Sequence, residues 1–132
     1  MKILLDTSAY SAFMRGHEGV LDLVQRAKQI AVTPIVLGEL LSGFRLGKRT
    51  RKNHDLLDRF LDSPRVESLP IDEGTARRYS DIVDHLRREG TPIPTNDLWI
   101  AASAMQHGLI LVSTDTHFEK VPQISKDTLR VS

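Results

Sequence analysis

Residues 2–8 read Lys-Ile-Leu-Leu-Asp-Thr-Ser. The apolar run in this stretch is too short for a helix and fits a buried strand, and the three polar residues after it are all of types that cap helices. A strand that passes directly into a helix indicates an α/β fold. It also places Asp6 at the carboxyl end of the first strand.

Short apolar strands alternate with helices along the rest of the chain. We predict further strands near residues 30–32, 66–71, 109–112 and 128–131, with helices between them. This alternation is typical of a parallel sheet with helices on both faces, in which the ligand site lies beyond the carboxyl ends of the strands. The chain has 132 residues and no repeat, low-complexity tract or long linker, so we expect a single domain over residues 1–132.

The composition excludes several classes of protein. The chain has no cysteine, which rules out disulfides, zinc thiolates and iron–sulfur clusters, and its formal net charge of +1 creates no global field that would draw it to nucleic acid. No apolar run approaches the roughly 18 residues of a membrane span, and Asp6 interrupts the apolar start where a signal peptide would continue. We therefore expect a cytoplasmic protein with no membrane association.

Four carboxylates lie next to apolar segments, where a charged side chain is not expected: Asp6, Glu39, Asp97 and Asp115. Asp6 and Asp115 each follow an apolar strand, Glu39 shares a helix face with apolar and small residues, and Asp97 opens a helix whose next turn is apolar. Clustered oxygen ligands select hard divalent ions such as Mg²⁺ or Mn²⁺, which most often serve phosphoryl-transfer or phosphodiester chemistry. These four acids are therefore our candidate catalytic and metal-binding residues.

Each acid also has an ordinary structural explanation. Asp6 can cap the first helix, although the two residues after it can do the same. Glu39 can be a solvated helix residue, Asp97 a first-turn acid favoured by the helix dipole, and Asp115 a turn residue. None of the five histidines shows the spacing of a zinc or catalytic site, so we assign them to surface or packing roles. They are His17, His54, His85, His107 and His117.

A basic cluster follows the helix that carries Glu39. No acid separates its members, which are Arg45, Lys48, Arg49, Arg51 and Lys52. The cluster is either a solvated loop and helix start or a set of phosphate contacts at the rim of a pocket. We keep it as a candidate RNA-binding surface.

The order of the motifs resembles the PIN-domain ribonucleases and, within them, the VapC-type toxins of bacterial and archaeal toxin–antitoxin pairs. The motifs are Asp6-Thr7-Ser8 after a strand, Thr33-Pro34 with Glu39 downstream, Asn96-Asp97 before an apolar helix, and Thr114-Asp115 after a strand. The resemblance covers nearly the whole chain. It implies a PIN-like three-layer α/β/α fold with a central parallel sheet of about five strands. It also implies that Asp6, Glu39 and Asp97 match the core acidic positions, and that Asp115 matches a fourth, less strictly kept one.

The resemblance also implies an activity and partners. It implies a metal-dependent endoribonuclease, the toxin of a type II toxin–antitoxin system, which uses Mg²⁺ or Mn²⁺, forms a homodimer and is silenced by a cognate antitoxin whose tail enters the active-site groove. A divalent ion at such a site activates water for in-line attack on phosphorus, so we expect products with a 5′-phosphate. The identity of the target RNA does not follow from the resemblance.

Two other classes stay open. A doubly wound phosphotransfer or phosphatase domain also carries an aspartate after its first strand, but a haloacid-dehalogenase-like pattern needs a second acid where this chain has Ser8. A receiver domain needs an acidic pair and a late lysine that the chain lacks. A non-catalytic PIN-like interaction module would use the same acids to bind an arginine of a partner in place of a metal ion.

Overall fold

The computed structural model describes residues 1–129, and the structural statements below refer to that part of the chain. Strands and helices alternate along it, as the sequence predicts. In chain order they are β1 (Lys2–Leu5), α1 (Thr7–Met14), α2 (Glu18–Arg26), β2 (Gln29–Val32), α3 (Pro34–Leu46), α4 (Thr50–Asp62), β3 (Val66–Ser68), α5 (Glu73–Glu89), α6 (Thr95–His107), β4 (Ile110–Ser113), a 3₁₀ helix (Thr116–Lys120) and β5 (Lys126–Thr128).

The five strands form one parallel sheet in the order β3-β2-β1-β4-β5. The chain moves outward from β1 in one direction through β2 and β3, and in the other through β4 and β5, so the winding reverses between β1 and β4. Leu5 pairs with Val112 across these two central strands, and the Asp6 N–H donates to the Val112 carbonyl at 3.3 Å. Asp6 and Ser113 therefore emerge side by side at the edge where parallel sheets bind ligands.

Apolar layers cover both faces of the sheet. Successive residues of β1 point to opposite faces, so Leu4 packs against α3 to α6 and Ile3 and Leu5 pack against α1 and α2. All three side chains are 0% exposed. This arrangement confirms the predicted three-layer α/β/α fold with a five-stranded parallel sheet. None of the helices in residues 1–129 combines the length and apolar character needed to cross a membrane.

Two strands, β3 and β5, differ from the prediction by more than one residue at an end. β3 ends at Ser68 although we predicted a strand over residues 66–71, because Pro70 has no N–H to donate to the ladder. The last strand in residues 1–129 is β5, which ends at Thr128, and residues 130 and 131 of the strand predicted at 128–131 fall outside the described residues. β5 reads Lys-Asp-Thr and lies at the sheet edge, where charged residues are common and no apolar pattern marks the strand.

Phe118 anchors the 3₁₀ helix to the core. Its side chain is 0% exposed in the layer beneath α3 to α6, so Phe118→Ala leaves a cavity and should lower the free energy of unfolding by about 3–5 kcal/mol. Chemical unfolding followed by circular dichroism measures this. Leu46→Ala is the matched control, because Leu46 is 90% exposed and should change stability by less than about 0.5 kcal/mol. Equal losses in the two variants would contradict the anchoring role.

Candidate active site

Asp6 lies at the base of the site and is 4% exposed. Its Oδ1 accepts hydrogen bonds from the Ala9 N–H at 2.7 Å and from the Ser8 hydroxyl at 2.7 Å, and its Oδ2 accepts one from the Ser113 hydroxyl at 2.6 Å. Asp6 is thus the N-cap of α1. The alternative that Thr7 or Ser8 caps the helix in place of Asp6 is wrong, because Asp6 itself accepts the Ala9 N–H and the Ser8 hydroxyl donates to Asp6.

Two serine hydroxyls tie Asp6 to the turn after β4. The Ser113 oxygen also accepts the Asp115 N–H at 2.8 Å, and the Ser8 oxygen accepts the Thr114 N–H at 3.0 Å. Each hydroxyl donates to Asp6 and accepts from the turn, so each is satisfied in both roles. Ser113 was not among the candidate residues of the sequence analysis, yet its hydroxyl donates directly to Asp6.

Glu39 reaches the same edge from α3. Its Oε1 accepts from the Thr7 hydroxyl at 2.6 Å, and its Oε2 accepts from the Asn96 side-chain amide at 3.3 Å. Glu39 is partly exposed, not buried as its helix face had suggested, because its neighbours are polar residues at the starts of α1 and α6. These two hydrogen bonds fix the direction of the carboxylate.

Asp97, Asp115 and His117 come together above Asp6. Asp97 is the third residue of α6. The N-cap of this helix is Pro94, and no side chain caps it, so neither Thr95 nor Asn96 has that role. His117 Nδ1 lies 2.8 Å from Asp97 Oδ2 and 3.1 Å from Asp115 Oδ1. One ligand atom from each of Asp97, Asp115 and His117 lies within 4.8 Å of the others.

His117 is the residue that the sequence analysis missed. We assigned it to a surface or packing role, but it lies between two of the candidate acids. The available signal was its position two residues after Asp115, in Asp-Thr-His. Asp115 Oδ1 accepts the His117 backbone N–H at 2.9 Å and so caps the 3₁₀ helix, which turns the imidazole back toward the acids.

The four acids act on one another electrostatically. Burial raises the pKa of Asp6 above its ordinary value against the hydrogen bonds that lower it, and the charge of Asp97 raises it further. Burial also raises the pKa of Asp97, opposed by the His117 hydrogen bond, with further increases from the charges of Asp115 and Glu39. Both shifts mean that the site, without a cation, resists carrying its full negative charge.

An open pocket of about 480 Å³ lies over this cluster. Its lining residues are Glu39, Pro94, Thr95, Asn96, Asp97, Asp115 and His117. Asp6 lies beneath them, consistent with its burial. Within residues 1–129 no lysine or arginine lines this pocket, so its carboxylate oxygens and one imidazole nitrogen form a donor set that fits a divalent cation.

The basic cluster lies outside the acid pocket. Its five members, Arg45, Lys48, Arg49, Arg51 and Lys52, are all exposed, at the end of α3 and the start of α4. None of the five has a hydrogen-bond or ion-pair partner for its side chain among the described residues. The cluster is therefore free to contact a ligand, and its first member, Arg45, follows Glu39 by six residues on α3.

Comparisons with known proteins agree with the fold. The PIN domain family model matches residues 3–124. Ribonuclease VapC5 of Mycobacterium tuberculosis is 31% identical over 115 residues, which cover 87% of this chain and 84% of that protein. Ribonuclease VapC2 of Haemophilus influenzae is 32% identical over 124 residues and covers 92% of each chain. The tRNA(fMet)-specific endonuclease VapC of Shigella flexneri is 29% identical over 94 residues, 70% of each chain.

Solved structures of similar proteins cover almost the whole chain. The VapBC2 structure of Rickettsia felis, bound to a DNA fragment from its promoter, matches with a TM-score of 0.84 and 27% identity over 97% of this chain and 98% of that chain. The DNA-bound VapBC of Salmonella typhimurium matches with a TM-score of 0.85 and 26% identity over the same shares, 97% and 98%. The parallel sheet and its helices are thus shared with these complexes.

The buried charge of Asp6 predicts a pH-dependent stability. The folded protein holds the Asp6 proton more tightly than the unfolded chain, because burial raises the pKa of Asp6 above 3.8. In metal-free protein, ionisation of Asp6 therefore costs stability as the pH rises above about 4, until the pH passes the folded-state pKa. Asp6→Asn has no such cost, so its stability relative to wild type should increase with pH over that window and then level off.

Guanidinium unfolding in the presence of a chelator, repeated at several pH values, measures this difference. Asp58→Asn is the control, because it makes the same chemical change at an exposed position on α4. A difference for Asp6→Asn that falls with rising pH would contradict the buried, unfavourable charge.

Proposed function

This chain belongs to the PIN-domain family, with VapC ribonucleases among its relatives, and we propose that it is a metal-dependent endoribonuclease that hydrolyses RNA phosphodiester bonds. The observation that carries this proposal is the group of four acids at the edge of the sheet where β1 and β4 end, under an open pocket that no lysine or arginine of residues 1–129 lines. The homologues that are named as ribonucleases supply the substrate class.

Asp6, Glu39, Asp97 and Asp115 are the proposed catalytic and metal-binding residues. Mg²⁺ or Mn²⁺, when bound, would activate water and neutralise charge on the scissile phosphate. Asp97 and Asp115 present oxygens to the open pocket, and Glu39 is oriented for it by Thr7 and Asn96. Asp6 is held from below by three donors, which keep its carboxylate in one orientation.

The proposed biological role is that of the toxin in a type II toxin–antitoxin pair. Related chains are solved as VapBC complexes, and we propose a homodimer that binds a cognate antitoxin protein. An arginine from the antitoxin could occupy the acid pocket in place of the cation, since guanidinium binds carboxylates with charge-assisted hydrogen bonds. We also propose that residues 1–132 form a single PIN-like domain. The cytoplasmic location stays a prediction.

A phosphotransfer role for Asp6 gains no support from the site. A nucleophilic aspartate needs an oxygen that the phosphorus can reach, but Asp6 is 4% exposed and both of its oxygens accept hydrogen bonds. The residue after Thr7, which a haloacid-dehalogenase-like pattern requires to be acidic, is Ser8 and donates to Asp6. The site therefore favours the nuclease over the phosphotransfer class.

Removal of a pocket acid or of the metal should abolish cleavage. We expect Asp97→Asn to lower the rate of RNA cleavage by at least about 100-fold, because the pocket then has one ligand and one negative charge fewer. The assay uses purified, antitoxin-free protein with mixed RNAs, with Mn²⁺ or with EDTA, and maps the 5′ ends of the products. Asp58→Asn, an exposed acid outside the site, is the control. Undiminished cleavage in EDTA, or products that lack a 5′-phosphate, would refute the metal-dependent mechanism.

The basic cluster should set the salt dependence of RNA binding. Arg49→Glu with Arg51→Glu should weaken the binding of single-stranded RNA and reduce the slope of log affinity against log salt by about 0.7 for each phosphate that is no longer neutralised. Fluorescence anisotropy at several salt concentrations measures both quantities. The matched control is Lys2→Glu with Lys28→Glu, because these exposed lysines lie at the opposite, amino-terminal edge of the sheet. Equal effects of the two double variants would show that only net charge matters.

A further inference from the structure

The most informative unassigned side chain is the imidazole of His117. The His117 backbone is fixed on both sides, because its N–H donates to Asp115 Oδ1 at 2.9 Å and the next residue, Phe118, is 0% exposed in the core. The ring itself is partly exposed and lines the acid pocket. The fold therefore holds the imidazole of His117 at the pocket on a fixed backbone.

The distances around Nδ1 are those expected between ligands of a common ion. Adjacent ligands of an octahedral ion with bonds of about 2.1 Å lie about 3 Å apart. His117 Nδ1 lies 2.8 Å from Asp97 Oδ2 and 3.1 Å from Asp115 Oδ1. A simple ion pair would need only one of these contacts, whereas this nitrogen faces both carboxylates.

We propose that Nδ1 of His117 is a metal ligand beside Asp97 and Asp115, and that this nitrogen gives the site a preference for Mn²⁺ over Mg²⁺. The inference rests on the proposed metal-dependent function and specifies its cofactor. Mg²⁺ takes oxygen ligands and retains its waters, so an imidazole contributes little to its binding. Mn²⁺ accepts the same carboxylates and, as a first-row transition ion, also accepts imidazole nitrogen.

A purely supporting role for His117 makes a different prediction. If its ring only donated a hydrogen bond to Asp97, its loss would disturb the carboxylate and weaken the binding of both ions alike. If Nδ1 binds the ion, the loss falls mainly on Mn²⁺. His117→Asn is the appropriate variant, because its side chain keeps a polar oxygen that suits Mg²⁺ and lacks the imidazole nitrogen.

Electron paramagnetic resonance on the full chain tests the assignment directly. Pulsed spectra of the Mn²⁺-loaded wild type should contain the modulation of a coordinated ¹⁴N nucleus, and His117→Asn should lose it. In competition titrations the same variant should lower Mn²⁺ affinity by roughly tenfold and change Mg²⁺ affinity much less. His107→Asn is the matched control, because His107 is an exposed histidine at the far end of the helix that carries Asp97, and it should change neither measurement.

The outcomes separate this inference from the proposed function. Mn²⁺-dependent RNA cleavage by a wild type whose bound Mn²⁺ shows no nitrogen modulation would overturn the role of His117 and leave the nuclease intact. An equal loss of Mn²⁺ and Mg²⁺ affinity in His117→Asn would also overturn it, in favour of the supporting role. Failure to bind Mn²⁺ together with failure to cleave RNA would overturn both. The wild-type spectrum needs no variant, so a misfolded His117→Asn would not prevent a decision.

Discussion

The parallel pairing of β1 with β4 is the constraint on which the site depends. Because Leu5 lies opposite Val112, the two chain segments that leave these strands emerge next to each other, one toward α1 and one toward the 3₁₀ helix. A one-residue change of register would move Asp6 away from Ser113 and would point the apolar residues of β1 to the wrong faces. The apolar layers on both faces of the sheet therefore fix the position of a charged group at its edge.

The hydrogen bonds around Asp6 compete with its burial, and burial is the stronger effect. Three donors surround the carboxylate and lower its pKa, yet the net direction of the pKa shift is upward. Asp97 shows the same balance, with two further acids acting on it. The fold thus holds charges in an arrangement that is unfavourable by itself and that a divalent cation would relieve. This is the behaviour expected of a binding site and not of a helix cap alone.

The strands and residues that were predicted correctly are those whose positions follow from apolar patterns in the sequence. The strands at residues 3–5 and 110–112 are marked by uninterrupted aliphatic runs, and the acids that follow them lie where parallel topology requires. Glu39 was placed correctly on its helix, but the sequence left open whether it is buried or solvated, because its environment comes from the polar starts of α1 and α6, which are distant in sequence. β5 has no apolar pattern to recognise. The direction in which the His117 side chain points depends on the short 3₁₀ helix, and no periodicity in the sequence predicts that direction.

The acid pocket and the basic cluster are separate, so the groups that attract RNA are not those that line the pocket. RNA phosphates are repelled by the acids as long as these carry uncompensated charge, and the net charge of +1 supplies no general attraction. Arg45 lies on the same helix as Glu39, six residues further on and so about 9 Å along the axis, and it is the first member of the basic cluster, whose side chains have no ion-pair partner among residues 1–129. A divalent ion held by these acids would offset part of their negative charge, and the basic cluster would then contact the phosphates that flank the scissile one.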